Sequence, residues 1–206
     1  MISSPARREA TPAAPGEDSV ELVSCGRAFP GHAIEIVDQN GDALPDREIG
    51  EIRTRGPSVT AGYYEDPVAT LESFRNGWLY TGDLGYLVDG NLYICGRIKD
   101  LIIIRGANFY PQDIERSVVD VPGLRRDNVV AFSVIEQGEE TLVIAAEGNS
   151  SDAAELRKAI SDRITASVGL VAGHVAVVRV GSLPKTSSGK VQRRRTKQLF
   201  EQDLLE

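Results

Sequence analysis

The segment "PKTSSGKVQRRR", Pro184 to Arg195, sets one lysine among small polar residues and follows it with a run of arginines. Cations at that density suit the handling of phosphate. A nucleotide phosphate loop is nevertheless excluded. The pattern G-x-x-x-x-G-K-[ST] needs glycines so that backbone N–H groups can wrap the phosphates, yet Pro184 stands at the first glycine and Val191 follows Lys190. A second segment, "WLYTGDLGYL", carries Asp83, whose plainest reading is a polar turn residue ahead of a strand. A third, "GRIKDLIIIRGANFYPQDIE", brings Arg97, Lys99, Arg105 and Gly106 close together in sequence. Metal chemistry finds no support, since Cys25, Cys95, His32 and His174 are the only cysteines and histidines and do not form a ligand cluster. Both cysteines sit in strand-like runs with no basic partner, which reads as buried structural thiols.

Strands dominate the part of the chain that carries Asp83. "AIEIVD" and "IGEIRTRG" alternate, with a turn at Asn40-Gly41 between them. "EDPVATLESF" reads as a short helix with Asp66 as N-cap and Pro67 at its first position. "YLVDGNLYICG" is a hairpin signal turning at Asp89-Gly90. Beyond "GRIKDL" the pattern changes. "LIII" reads as a buried strand, "PQDIERSVVD" as a helix opened by Pro111, and "NVVAFSVI" and "TLVIAAE" as strands joined by the tight link "EQGEE". "SDAAELRKAISDRITASVG" has a capping-box start at Ser151 or Asp152 and stops at Gly169. "HVAVVRV" is a further strand, and a charged helix follows Lys190. The expected fold is α/β (α+β), a β-rich part followed by a small α/β domain.

Composition narrows the partners. A net charge of -7 argues against a dedicated nucleic-acid binder, which would be basic overall. No apolar run reaches the ~20 residues of a membrane span. The start, "MISSPARREATPAAPGEDS", lacks the apolar core of a signal peptide; residues 1–19, rich in Ala, Pro and charge, read as a flexible lead-in, and two cysteines that make no disulfide framework read as cytoplasmic.

In their order and separation, "WLYTGDLGYL", "GRIKDLIIIRGANFYPQDIE" and "LPKTSSGKV" closely resemble the last motifs of the adenylate-forming enzymes. These include acyl-CoA synthetases, luciferases, peptide-synthetase adenylation domains and fatty-acyl-AMP ligases. "SCGRAFPGHAIEIVD" and "KDLIIIRGANFYPQDIE" look most like the fatty-acyl-AMP ligases of polyketide and lipopeptide assembly lines. The resemblance covers about Val23 to Phe200 and implies three parts: residues 1–19, a β-rich last subdomain of a large domain (20–98), and a mobile C-terminal domain (99–206). A large N-terminal domain with a phosphate loop, an adenine pocket and an acyl tunnel is implied outside this chain. The chain alone is then expected to be inactive.

Site residues follow from the same resemblance. Lys190 matches a catalytic lysine that swings in when the acyl carboxylate attacks the α-phosphate of ATP, where an ammonium stabilises the accumulating negative charge. Asp83 matches an aspartate that accepts hydrogen bonds from the ribose hydroxyls, and Arg97 an arginine on the ribose or phosphate. Lys99 matches the hinge about which the small domain turns. Arg105 and Gly106 match a loop bordering the tunnel through which a phosphopantetheine thiol arrives. Two glycines are usual there, so Arg105 leaves less room and speaks against free CoA as acceptor. Asn108, Pro111 and Glu115 are expected to fix the start of a helix. The implied parent takes a fatty acid, ATP and Mg2+, and passes the acyl group to an acyl carrier protein. The run "RRRTK" reads as a solvated helix face or as a docking patch for that acidic partner. Other readings are an acyl-CoA ligase, an aryl- or amino-acid-activating domain, or a non-catalytic module that docks a carrier protein.

Overall fold

Alternating apolar and polar residues build the first sheet of the computed structural model, which describes residues 9–14, 21–148 and 153–205. β1 (Ala33–Val37), β2 (Gly50–Arg55), β3 (Phe74–Arg75), β4 (Trp78–Val88) and β5 (Asn91–Arg97) pair in antiparallel fashion. The long β4 is the hub: it pairs with β2 and, at different points along its length, with β3 and β5. Ile36, Ile52 and Leu92 form the buried centre of this sheet, each adding roughly 1.5–3 kcal/mol by leaving water. α1 (Pro67–Ser73) starts where Asp66 Oδ1 accepts the Ala69 N–H at 2.9 Å. These elements belong to one unit, Met1–Lys99, and the remainder to a second, Asp100–Glu206. The division falls inside a single 3₁₀ turn, Ile98–Asp100.

The second unit is a three-stranded sheet with helices against both faces. β6 (Ile102–Ile104) and β7 (Ala107–Phe109) form a small separate hairpin ahead of α2 (Pro111–Ser117). β8 (Leu124–Glu136) and β9 (Glu139–Gly148) are antiparallel, and α3 (Ala153–Val168) carries the chain over to β10 (His174–Val178), parallel to β9. Period-two alternation sends Leu142, Ile144 and Ala146 to the face covered by Ile114 of α2 and by Leu156, Ile160 and Ile164 of α3. Val143 and Ala145 point the other way, to Phe200 of α4 (Arg193–Glu201). Central β9 is therefore apolar on both faces.

Several expectations need correcting. Within the lead-in, Glu9 bridges Glu48 and the Ala10 N–H donates to Arg47 O at 2.8 Å, with Ala10 buried. The rest of that segment, apart from residues 9–14, lies outside the described residues, as do Ser151 and Asp152. "LIII" is only partly buried: Ile102 enters the core while Ile103 is exposed, because the hairpin has only one covered face. Cys25 is exposed and outside any strand, and only Cys95 lies in one. Among the described residues no helix is long and apolar enough to cross a membrane.

Candidate functional site

Asp83 lies inside β4 at an irregularity, not in a turn ahead of a strand. Between β2 and β4, Glu51 faces Leu84 and Arg53 faces Tyr80, so Thr81, Gly82 and Asp83 occupy a stretch that β2 spans with Ile52 alone. Such a bulge re-aims side chains. Three bonds fix it. Thr81 Oγ1 donates to Ile52 O at 2.9 Å and accepts the Asp83 N–H at 3.1 Å, and the Gly82 N–H donates to Glu51 Oε1 at 3.1 Å. Across the hairpin Asp83 faces Arg97, whose Nε donates to Asp83 Oδ1 at 2.8 Å. Among the described residues Asp83 Oδ2 and both Nη groups of Arg97 have no partner. The pair thus offers one acceptor and a two-pronged donor, a set suited to a hydroxyl-bearing anion. Lys99 follows, exposed, in the 3₁₀ turn at the boundary of the two units.

Arg105 and Gly106 form the two-residue loop of the β6–β7 hairpin, with φ of 52° and 77°. Positive φ at both positions is the type I′ pattern. A Cβ at Gly106 would meet nothing within 4 Å, so the glycine is there for its backbone angle and not for space. Arg105 holds the same left-handed region at a steric cost, and both residues are exposed.

Lys190 ends a second tight hairpin. The Gly189 N–H donates to Thr186 O at 2.9 Å, and the Thr186 N–H donates to Lys190 O at 2.8 Å. Ser187, Ser188 and Gly189 therefore make a three-residue loop closed by Gly189 at φ 86°, the type I turn plus bulge that such loops favour. Thr186 Oγ1 accepts the Lys190 N–H at 3.1 Å, Lys185 bridges Val191, and the Gln192 N–H donates to Pro184 O at 2.8 Å. The segment is a shaped hairpin. Lys190 is exposed, and among the described residues its ammonium has no ion-pair partner. It lines a groove of about 550 Å³ together with Arg116, Arg125, Arg126, Arg193 and Glu115. Cations prevail there, which favours an anionic ligand.

Two residues that hold this hairpin escaped the sequence reading. Glu147, fully buried at the end of β9, accepts the Leu183 N–H on Oε1 at 3.1 Å and Arg125 Nη1 on Oε2 at 3.3 Å. Arg193, first in "RRRTK", is not on a solvated face. Its guanidinium donates to Ala131 O (3.0 Å), Asp100 Oδ2 (2.9 Å) and Glu115 Oε1 (2.7 Å). Helical spacing held the signal, since Arg193, Thr196 and Phe200 stand at i, i+3 and i+7 and the last two pack inward. Glu115 also accepts the Ala131 N–H at 2.8 Å, so it ties α2 to β8 and α4 instead of fixing the helix start. Burial pushes its carboxyl above the ordinary range, against the pull of Arg193.

Comparison with known proteins gives two family matches. Residues 99–206 match the family described as Disco-interacting protein 2-like, AMP domain, and residues 6–64 match that of AMP-binding enzymes. A provisionally named acyl-CoA synthetase of Caulobacter vibrioides is 36% identical, over 89% of this chain and 33% of its own length. A medium-chain-fatty-acid–[acyl-carrier-protein] ligase, JamA, of Moorena producens is 39% identical, over 84% of this chain and 32% of its own. A solved structure from work on fatty acyl-adenylate ligases of E. coli and L. pneumophila superposes with a TM-score of 0.80 at 37% identity, covering 95% of this chain and 35% of the other. The chain thus spans about a third of the length of the relatives it matches.

Proposed function

The chain belongs to the AMP-binding, adenylate-forming enzymes, with the Disco-interacting protein 2-like AMP domain covering residues 99–206, and from that premise we propose that it is the C-terminal part of a fatty-acyl-AMP ligase. In the whole enzyme a fatty-acid carboxylate oxygen attacks the α-phosphorus of ATP. The bond to the β-phosphate breaks, and pyrophosphate leaves with the electron pair. A phosphopantetheine thiolate of an acyl carrier protein then attacks the acyl carbon and AMP departs.

The observation that carries this reading is the presentation of Lys190: an exposed ammonium, with no ion-pair partner among the described residues, on a hydrogen-bonded hairpin in a unit whose boundary lies at Lys99 and Asp100. A positioned ammonium stabilises charge where carboxylate and α-phosphate meet. Asp83 and Arg97, on the other unit, suit the ribose and phosphate of the nucleotide. Lys99 is the pivot. Magnesium enters as the partner of the triphosphate. Among the described residues no cluster of His, Cys, Asp or Glu could hold a metal ion. Fatty acid and carrier protein are supported by the likeness to the acyl-carrier-protein ligase and the fatty acyl-adenylate ligases. The acyl-CoA synthetase relative favours a second reading, in which free CoA is the acceptor.

Separating the half-reactions tests the proposal. In the full-length enzyme Lys190→Ala is expected to slow acyl-adenylate formation roughly 100- to 1000-fold, the usual cost of losing one electrostatic stabiliser. Transfer from chemically supplied acyl-adenylate to the carrier thiol should change little, because Lys190 has by then turned out of the site. This chain alone should give no ATP–pyrophosphate exchange. Equal loss in both half-reactions would make Lys190 structural and sink the reading.

A further inference from the structure

We propose that Arg193 is a positioning residue that joins the pivot to Lys190, so that rotation at Lys99 delivers the ammonium without a soft joint in between. The inference rests on the reading of Lys190 given above. Asp100, the first residue of the second unit, directly follows Lys99. Its carboxylate is held by Arg193 Nη1 at 2.9 Å, while Nη2 and Nε of the same guanidinium reach Glu115 of α2 and the carbonyl of Ala131 in β8. Arg193 is also the first residue of α4, and its neighbour Gln192 closes the Lys190 hairpin by donating to Pro184 O at 2.8 Å. One planar group therefore fixes the chain just after the pivot, a helix, a strand and the base of the lysine hairpin.

The side chains of Arg193, Asp100 and Glu115 are 19%, 17% and 20% exposed. An ion cluster that is largely buried is weak evidence for stability, since apolar residues of similar volume often serve as well or better. What it does provide is geometry. Three donors in a rigid fork allow only one arrangement of their acceptors, and a lysine ammonium, a point charge on a flexible stem, cannot reproduce it. The other strand of the hairpin base is tied separately, through the Leu183 N–H to Glu147. That tie does not reach Asp100, so the link to the pivot runs through Arg193.

A double-mutant cycle in the full-length ligase tests this, with adenylation and thiol transfer measured separately. Arg193→Ala should lower kcat for adenylation about 10- to 100-fold, the scale expected when a catalytic group is misplaced by about 1 Å, and leave KM for ATP within about twofold. Transfer from supplied acyl-adenylate should stay within about threefold, and Arg193→Lys should fall between wild type and Arg193→Ala. In a Lys190→Ala background, adding Arg193→Ala should cost no further rate, because a residue acting through Lys190 has nothing left to position. Melting curves identify a variant that fails to fold. If Arg193→Ala does, Arg193→Lys and Glu115→Gln must show the same non-additivity for the proposal to stand. A loss that multiplies in the Lys190→Ala background, or that strikes both half-reactions equally, overturns it. If Lys190→Ala itself leaves adenylation intact, the underlying reading of Lys190 fails first. If Lys190→Ala is crippling and Arg193→Ala is not, only the coupling fails.

Discussion

Arg105 separates backbone cost from chemical role at the level of a single residue. It occupies a left-handed position in the β6–β7 turn, φ 52°, where an unbranched side chain pays and glycine does not. Under the proposed function this exposed loop borders the approach of the acceptor thiol. Arg105→Gly should therefore leave the fold intact or slightly firmer, by up to about 1 kcal/mol. In the full-length enzyme it should also shift acceptor choice toward free CoA. Holo carrier protein and CoA competing in one reaction, with products weighed by mass spectrometry, read that choice. An unchanged product ratio would remove Arg105 from acceptor selection.

At the scale of the element, α2 shows two electrostatic effects in opposition. Asp113 lies in its first turn, where the helix dipole favours a carboxylate by about 0.3–1 kcal/mol. Burial wins: the Asp113 carboxyl is pushed above its ordinary value of 3.8, with Arg116 pulling weakly the other way. A raised carboxyl pKa means that the folded state holds the proton more tightly than the unfolded chain. The contribution to stability is then complete below 3.8 and is lost as pH rises through the higher folded value. Asp113→Asn, always neutral, lacks that loss. The difference in melting temperature, variant minus wild type, should grow more positive as pH climbs from 3.8 through the weakly acidic range. A difference that is flat with pH would show that Asp113 is solvated.

The molecule as a whole consists of two units that meet in sequence at Lys99 and Asp100, and each unit has its own core. Arg97, Ile98 and Lys99 are exposed, whereas Leu142 to Glu147 of β9 are buried without interruption. Opening the link exposes little apolar surface, and opening β9 disrupts both faces of the second sheet. Thermolysin should therefore cut near Ile98 before it cuts within β9, leaving two fragments of similar length. Early cleavage inside β9, with the link intact, would show that the second unit is the weaker one and that the pivot is closed.

Most of the strands, the helix openings at Pro67 and Pro111 and the hairpin turning at Asp89-Gly90 were legible in the sequence, because period-two alternation, N-terminal prolines and Gly-bearing turns act over a few residues. So were the motifs that carry Asp83, Arg97 and Lys190. What the tertiary structure alone decided is how those residues are held. The bulge at Thr81–Asp83 arises from a mismatch with a strand about thirty residues away, and no local pattern announces such a mismatch. In "RRRTK" the spacing to Thr196 and Phe200 marks the inward face that Arg193 shares, but no local pattern supplies partners for a charge there. Only the meeting of α4 with Asp100, Glu115 and Ala131 gives Arg193 three partners and leaves Arg194 and Arg195 outside. Glu147 likewise closes an apolar run, and its burial depends on the Leu183 N–H and Arg125 arriving from other parts of the chain. Short-range rules choose the elements, whereas a buried charge is permitted only where distant groups converge to satisfy it.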